Sequence, residues 1–116
     1  ILKGITLAHG GTYDLVYTRG TASVINDRDL TLRMAPVMAR AVGEEHVLEI
    51  APTMGGEDFA AFSNTVPALF FRLGVLKPGS TSGGLHTPTM TADSGAVPVG
   101  MRVMATVLLS YLQRAQ

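Results

Sequence analysis

The chain has 116 residues, of which 47% are hydrophobic and 16% charged, and this balance is typical of a folded globular protein rather than a disordered one. Its formal net charge is zero, which argues against nucleic acid or an anionic membrane surface as a partner. It has no cysteine, so disulfides, cysteine-ligated zinc and a thiol nucleophile are excluded, and we expect a cytoplasmic protein.

The first half of the chain predicts a helix, a strand and a second helix. Apolar residues at helical spacing predict a short helix over residues 1–8, and alternating residues predict a strand over 13–18. Asn26 or Asp27 can cap the next helix, whose apolar positions recur as far as residue 41. Gly43 is expected to end that helix, since glycine is favoured just after a helix terminus.

The second half predicts two strands and two helices. We expect strands over 47–51 and 68–75, a helix over 57–62, and a long helix over 96–116. Pro36 lies inside the preceding helical pattern and predicts a kink or a local break there. The order of elements indicates an α/β fold that contributes to a larger sheet. There is no run of about 18 apolar residues, so no transmembrane helix is expected.

The long C-terminal helix is predicted to bury a broad apolar face against a sheet. Five residues are predicted to form the main face and three more to widen it: Val97, Met101, Met104, Leu108 and Tyr111, with Val103, Val107 and Ala115.

His86 is the best candidate for a metal ligand among the three histidines. It follows a Gly-, Ser- and Pro-rich loop over 77–84 that reads as flexible, and it precedes Thr87-Pro88, where proline stiffens the backbone. His9 lies beside a helix end and His46 next to two glutamates, so both read as ordinary surface groups. One imidazole is not a complete site, because zinc usually takes three or four protein ligands.

The second candidate is a glycine pair followed by acids, Gly55-Gly56-Glu57-Asp58. Glycines allow a close backbone approach to a ligand, and a carboxylate can orient a metal-bound histidine. The same residues also suit a simple turn whose acids favour a helix N-terminus. The sequence leaves both interpretations open.

These two candidates lie in an ordered series of motifs that resembles the C-terminal part of the aminoacylase/carboxypeptidase family, and most closely its hippurate hydrolase and indoleacetyl-amino-acid hydrolase branch. The resemblance runs from about residue 11 to 112. It is carried by Met54-Gly-Gly-Glu-Asp-Phe59, the apolar segment over 66–74, Leu85-His86-Thr87-Pro88, Asp93 and the segment over 96–100. Thr89, Met90 and Thr91 depart from the family pattern and imply a different pocket rim.

The resemblance implies a fold and a chemistry. Residues 1–25 would end an inserted α/β lid that forms dimer contacts, and 26–116 would be the C-terminal part of a three-layer α/β/α catalytic domain. Such enzymes use two divalent ions, zinc or manganese, to cleave N-acyl amino acids or small peptides. His86 would be one metal ligand, and Gly55, Gly56 and Glu57 would lie near the site. No catalytic residue transfers to this chain.

The same resemblance implies that this chain alone is inactive, because the general base and the other ligands of the family's site match no position here. A homodimer, or association with the missing half of the enzyme, is therefore expected. Two alternatives stay open. The chain could be a non-catalytic α/β module for binding or dimerisation, or a structural α/β domain in which His86 has no role.

Overall fold

The computed structural model describes residues 1–113 and shows four α-helices and one short 3₁₀-helix. The helices are α1 (Leu2–Ala8), α2 (Arg28–Val42), α3 (Ala60–Ser63) and α4 (Ala96–Gln113), and the 3₁₀-helix covers Glu44–His46. All four predicted helices are therefore present, although α3 starts three residues later than expected. Residues 114–116 of the predicted last helix lie outside the described part.

Helix α2 begins as its sequence predicts. Asp27 caps it, and its Oδ1 atom accepts a hydrogen bond of 2.7 Å from the backbone N–H of Leu30. The helix continues without interruption through Pro36, so a local break is wrong and the alternative, a kink, stays a prediction. It ends at Gly43, whose φ of 98° lies in a region that glycine adopts without steric cost.

The predicted α/β fold is wrong for the described residues. Between residues 1 and 113 there is no β-strand, and the segments predicted as strands over 13–18, 47–51 and 68–75 have no regular structure. Strands exist only as paired backbones, and strand-type composition reflects packing against neighbours more than an intrinsic backbone preference. These segments find no pairing partner here, and side chains such as Val16 and Leu48 remain exposed.

One segment is nevertheless held by a side chain in place of a neighbouring strand. Asn26 accepts a 2.8 Å bond from the Phe70 N–H through its Oδ1 atom, and its Nδ2 atom donates a 2.8 Å bond to the Phe70 carbonyl. The N–H of Asp27 adds a 2.9 Å bond to the Ala68 carbonyl. These three bonds attach the irregular segment over 68–71 to the N-terminus of α2.

A small core lies where α2 crosses α4. Its buried residues share an apolar character and come mostly from α2: Leu30, Met34, Val37, Met38 and Val103. Leu69 and Phe71, which the Asn26 contacts hold nearby, pack against this core. On α4, Val103 and Val107 are therefore the packed residues, and not the main face predicted from the sequence, because Met101 and Leu108 are 69% and 52% exposed.

The chain is far from compact. Its radius of gyration is 20.5 Å, whereas a compact domain of this length has one of about 13 Å. It exposes 9810 Å² of surface, while a compact monomer of this mass exposes roughly 6000 Å². Many large apolar side chains are exposed, among them several on α4. By length and composition alone α4 could also cross a membrane, but a single such helix is weak evidence, since core helices pass the same test.

Candidate metal-ligand loop

The loop that carries His86 starts and ends at one backbone contact. The N–H of Asp93 donates a 2.7 Å bond to the carbonyl of Val75, which brings residues 75 and 93 together. Asp93 also closes the turn that leads into α4, because its Oδ1 atom accepts a 3.0 Å bond from the Gly95 N–H and its carbonyl accepts one from Ala96, the first residue of the helix. The base of the loop is thus fixed to α4.

Two cross-loop contacts lie above this base. The Oγ atom of Ser82 accepts a 2.7 Å bond from the N–H of Thr91 and lies 3.1 Å from the Thr91 carbonyl. One residue further on, the Gly83 N–H donates a 3.0 Å bond to the Thr89 carbonyl. A Cβ atom at Gly83 would overlap the hydroxyls of Thr87 and Thr89, so any larger residue there would force both side chains to move. Residues 82–91 are therefore held closed, although the loop over 77–84, which includes residues 82–84, was predicted to be flexible.

His86 lies at the tip, in the first of two consecutive turns. The N–H and the hydroxyl of Thr87 both donate to the carbonyl of Gly84, over 3.3 and 2.8 Å, and close a turn with Leu85 and His86 at its centre. The second turn runs from Thr87 to Met90 through a 3.2 Å bond. Pro88 takes its first central position, where the fixed φ of proline fits.

The backbone of His86 is in an unfavourable conformation. Its φ is 64°, and among residues 1–113 it is the one residue other than glycine with a positive φ. The left-handed region costs an L-residue roughly 1–2 kcal/mol, and glycine is the usual occupant of such turn positions. A strained residue of this kind often belongs to a functional site. The imidazole is exposed, and no protein group in the described part of the chain hydrogen-bonds to it.

The second candidate, Gly55-Gly56-Glu57, lies in an exposed irregular segment before α3. The Oε1 atom of Glu57 accepts a 3.2 Å bond from the Phe59 N–H, as expected of an acid near a helix start. A Cβ at Gly55 would meet nothing within 4 Å, so no close approach requires glycine there. Within residues 1–113 no hydrogen bond joins this segment to His86, and the near-site role stays a prediction.

The described residues hold no complete metal site. Within residues 1–113, no three His, Asp or Glu side chains are grouped closely enough to bind an ion. His46 lies 3.4 Å from the Glu45 carboxylate in an exposed pair, and His9 follows the last residue of α1. The sequence did not predict that Ser82 pairs with Thr91 to close the loop. The many Ser and Thr residues of this segment were a signal that hydroxyls could bond across the loop. Composition does not reveal which hydroxyl pairs with which backbone group.

Comparison with known proteins places the chain in a family. The profile of Peptidase family M20/M25/M40 matches residues 3–110, and the chain belongs to this family. This match confirms the predicted resemblance to the aminoacylase/carboxypeptidase family. The family is generally metal-dependent. No solved structure matches the chain significantly.

Three relatives illustrate the similarity. The chain is 30% identical to IAA-amino acid hydrolase ILR1-like 2 of Arabidopsis thaliana, over 77% of this chain and 20% of that protein. It is 32% identical to N-acetyldiaminopimelate deacetylase of Limosilactobacillus fermentum, over 100% of this chain and 29% of that protein. A protein of Rhodococcus jostii with the provisional name glutamate–cysteine ligase 2-3 is 36% identical over 82% of this chain.

The ligase name disagrees with the two hydrolase names. The matched part is only 12% of the ligase, so the name says little about the chemistry that the matched segment serves. The family profile and the two hydrolase names agree with each other and carry more weight. The chain spans less than a third of the length of each of these relatives.

Proposed function

We propose that this chain is part of a metal-dependent amidohydrolase and that His86 supplies one of its metal ligands. The observation that carries the proposal is the placement of His86: an exposed imidazole at a left-handed position, at the tip of a hydrogen-bonded loop. Membership of the M20 family and the two hydrolase relatives support the reaction class. Amide bonds of N-acyl amino acids or small peptides are the proposed substrates.

The described residues of this chain can contribute one ligand to a metal site whose other ligands come from elsewhere in the complete protein. They cannot form a metal site by themselves. An imidazole free of protein hydrogen bonds can donate a nitrogen lone pair to zinc or manganese. When bound, the metal would activate water and polarise the amide carbonyl. We propose two divalent ions per complete site, with the remaining ligands and the general base supplied by other residues of the complete protein. A cytoplasmic location also remains a prediction.

The test uses the protein encoded by the complete gene. We expect it to hydrolyse at least one member of a panel of N-acetyl, N-benzoyl and indole-3-acetyl amino acids and dipeptides. Dialysis against a chelator should abolish hydrolysis, and zinc or manganese should restore it, because the bound metal would generate the attacking hydroxide and polarise the amide carbonyl. The 116-residue chain alone, treated identically, should hydrolyse none of the panel.

A non-catalytic binding or dimerisation module is the second candidate. It is favoured by one observation, the absence of a three-ligand cluster from residues 1–113. The same panel separates the two functions. A complete protein that is loaded with metal and binds these compounds, yet hydrolyses none of them, would be such a module.

We also propose that the exposed apolar face of α4 is covered by further polypeptide. Met101, Leu108 and Leu112 are all more than half exposed on an 18-residue helix. Apolar surface of this extent is unfavourable in water and commonly marks an interaction surface. In the complete protein the cover would be the remainder of the enzyme, and for the chain alone it would be a second copy.

Sedimentation of the chain alone tests this association. We expect the unmodified chain to sediment as a dimer or larger species, and Leu108→Glu to shift it toward the monomer, because a buried charge is costly. Gln113→Glu adds the same charge at a polar position of the same helix and serves as the control. A monodisperse monomer of the unmodified chain would contradict the proposal.

A further inference from the structure

We infer that Ser82 is a positioning residue for His86, an inference that rests on the proposed role of His86 as a metal ligand. Ser82 does not contact His86. It acts through the loop, since its hydroxyl joins the two sides of the segment whose tip is His86. The contact spans nine residues of sequence, which makes it the most distant side-chain contact within the loop.

The hydroxyl of Ser82 bonds to the backbone of Thr91, as a backbone group of a paired strand would. It accepts from the Thr91 N–H at 2.7 Å and has two acceptors for its single proton, the carbonyls of Thr91 at 3.1 Å and of Gly83 at 3.0 Å. Donation to Thr91 completes a two-way contact across the loop. An alanine at position 82 would remove both halves of this contact.

The position of Ser82 in the chain makes the contact important. Gly83 and Gly84 separate it from the turn that contains His86, and glycine has the greatest backbone freedom of any residue. Without the Ser82 contact, these glycines are restrained only by the Gly83–Thr89 bond and the turn at Gly84. A ligand that is not held in place must be ordered when the metal binds, and this ordering weakens binding.

A nearby serine offers a matched control. The Ser80 hydroxyl donates a 2.6 Å bond to the Lys77 carbonyl, within a local turn that lies outside the closed segment over 82–91. Ser80→Ala therefore removes the same chemical group and a comparable hydrogen bond. It leaves the contacts between the two sides of the loop intact.

The experiment compares Ser82→Ala, Ser82→Thr, Ser80→Ala and His86→Asn in the protein from the complete gene. Zinc affinity is measured by competition with a chromophoric chelator, and thermal unfolding of the metal-free proteins is followed in parallel. We expect Ser82→Ala to bind zinc about tenfold more weakly, the scale typical of residues that orient a ligand. Ser82→Thr should restore affinity because it keeps the hydroxyl. Ser80→Ala should match the unmodified protein, and the metal-free unfolding temperature of Ser82→Ala should be unchanged.

The variants separate the inference from the proposed function. If His86→Asn loses a metal ion while Ser82→Ala binds zinc like the unmodified protein, the positioning role of Ser82 is wrong and the ligand assignment stands. Equal weakening by Ser82→Ala and Ser80→Ala would likewise overturn the positioning role. If His86→Asn retains its full metal content, the ligand assignment fails, and the role of Ser82 fails with it.

Discussion

His86→Asn should remove one metal ion from the complete protein and lower kcat by about a thousandfold. The magnitude follows from the several kcal/mol by which a catalytic metal stabilises the transition state, at 1.36 kcal/mol for each factor of ten. Asparagine is the informative substitution because it tolerates the left-handed backbone of position 86, which has a φ of 64°. The loop should therefore keep its conformation while the imidazole is lost.

Two further substitutions at this position distinguish loss of the ligand from loss of the fold. His86→Gly should bind metal as poorly as His86→Asn and unfold no more easily than the unmodified protein, because glycine adopts a positive φ without strain. His86→Val should both lose metal and lower the unfolding temperature, since a β-branched residue is poorly accommodated there. Elemental analysis measures the metal content, and thermal unfolding of the metal-free proteins measures the unfolding temperature. Unchanged metal content and rate in His86→Asn would refute the ligand role.

Met34→Ala should lower the free energy of unfolding by about 2–5 kcal/mol, the range measured for truncating large buried side chains to alanine. Met34 is 1% exposed and lies at the centre of the core between α2 and α4. Its loss leaves a cavity in a core that has only five buried residues, so few neighbours can move to fill it. A loss of this size is a large share of the roughly 5–15 kcal/mol that stabilises a typical domain.

Leu32→Ala is the matched control for this prediction. Leu32 lies two residues before Met34 on the same helix, but its side chain is 59% exposed. Its truncation should change the free energy of unfolding by less than about 0.5 kcal/mol, as is usual for surface positions. Urea unfolding followed by helical circular dichroism compares the two. Equal losses for both variants would show that the α2–α4 contact does not determine stability.

The sequence predicted the helices well because their signals are local. The cap at Asp27, the glycine at position 43 and the 3.6-residue period of α2 all act within a few residues. The predicted strands failed for the opposite reason. A strand needs a partner that local sequence cannot identify, and residues 68–71 are attached to the side chain of Asn26, 44 positions away from Phe70.

The candidate site shows the same division. His86 could be singled out from its position between a glycine-rich loop and Thr87-Pro88, and from an ordered resemblance to a known family. Its positive φ and the pairing of Ser82 with Thr91 depend on how the loop closes, which composition does not encode. The face of α4 was misassigned because this helix is apolar on most sides, so periodicity could not distinguish the packed side from the exposed one.

Within residues 77–91, one part is expected to tolerate insertions and the other is not. Residues 77–81 lie outside the cross-loop contacts, and extra residues there would lengthen the exposed connection to the closed segment, at about 0.6 kcal/mol for each doubling of its length. An insertion within 83–90 would instead shift Ser82 out of register with Thr91 and move His86 away from the tip. Peptide tags and reporter sequences can therefore be inserted beside this site at residues 77–81 without displacing the proposed metal ligand.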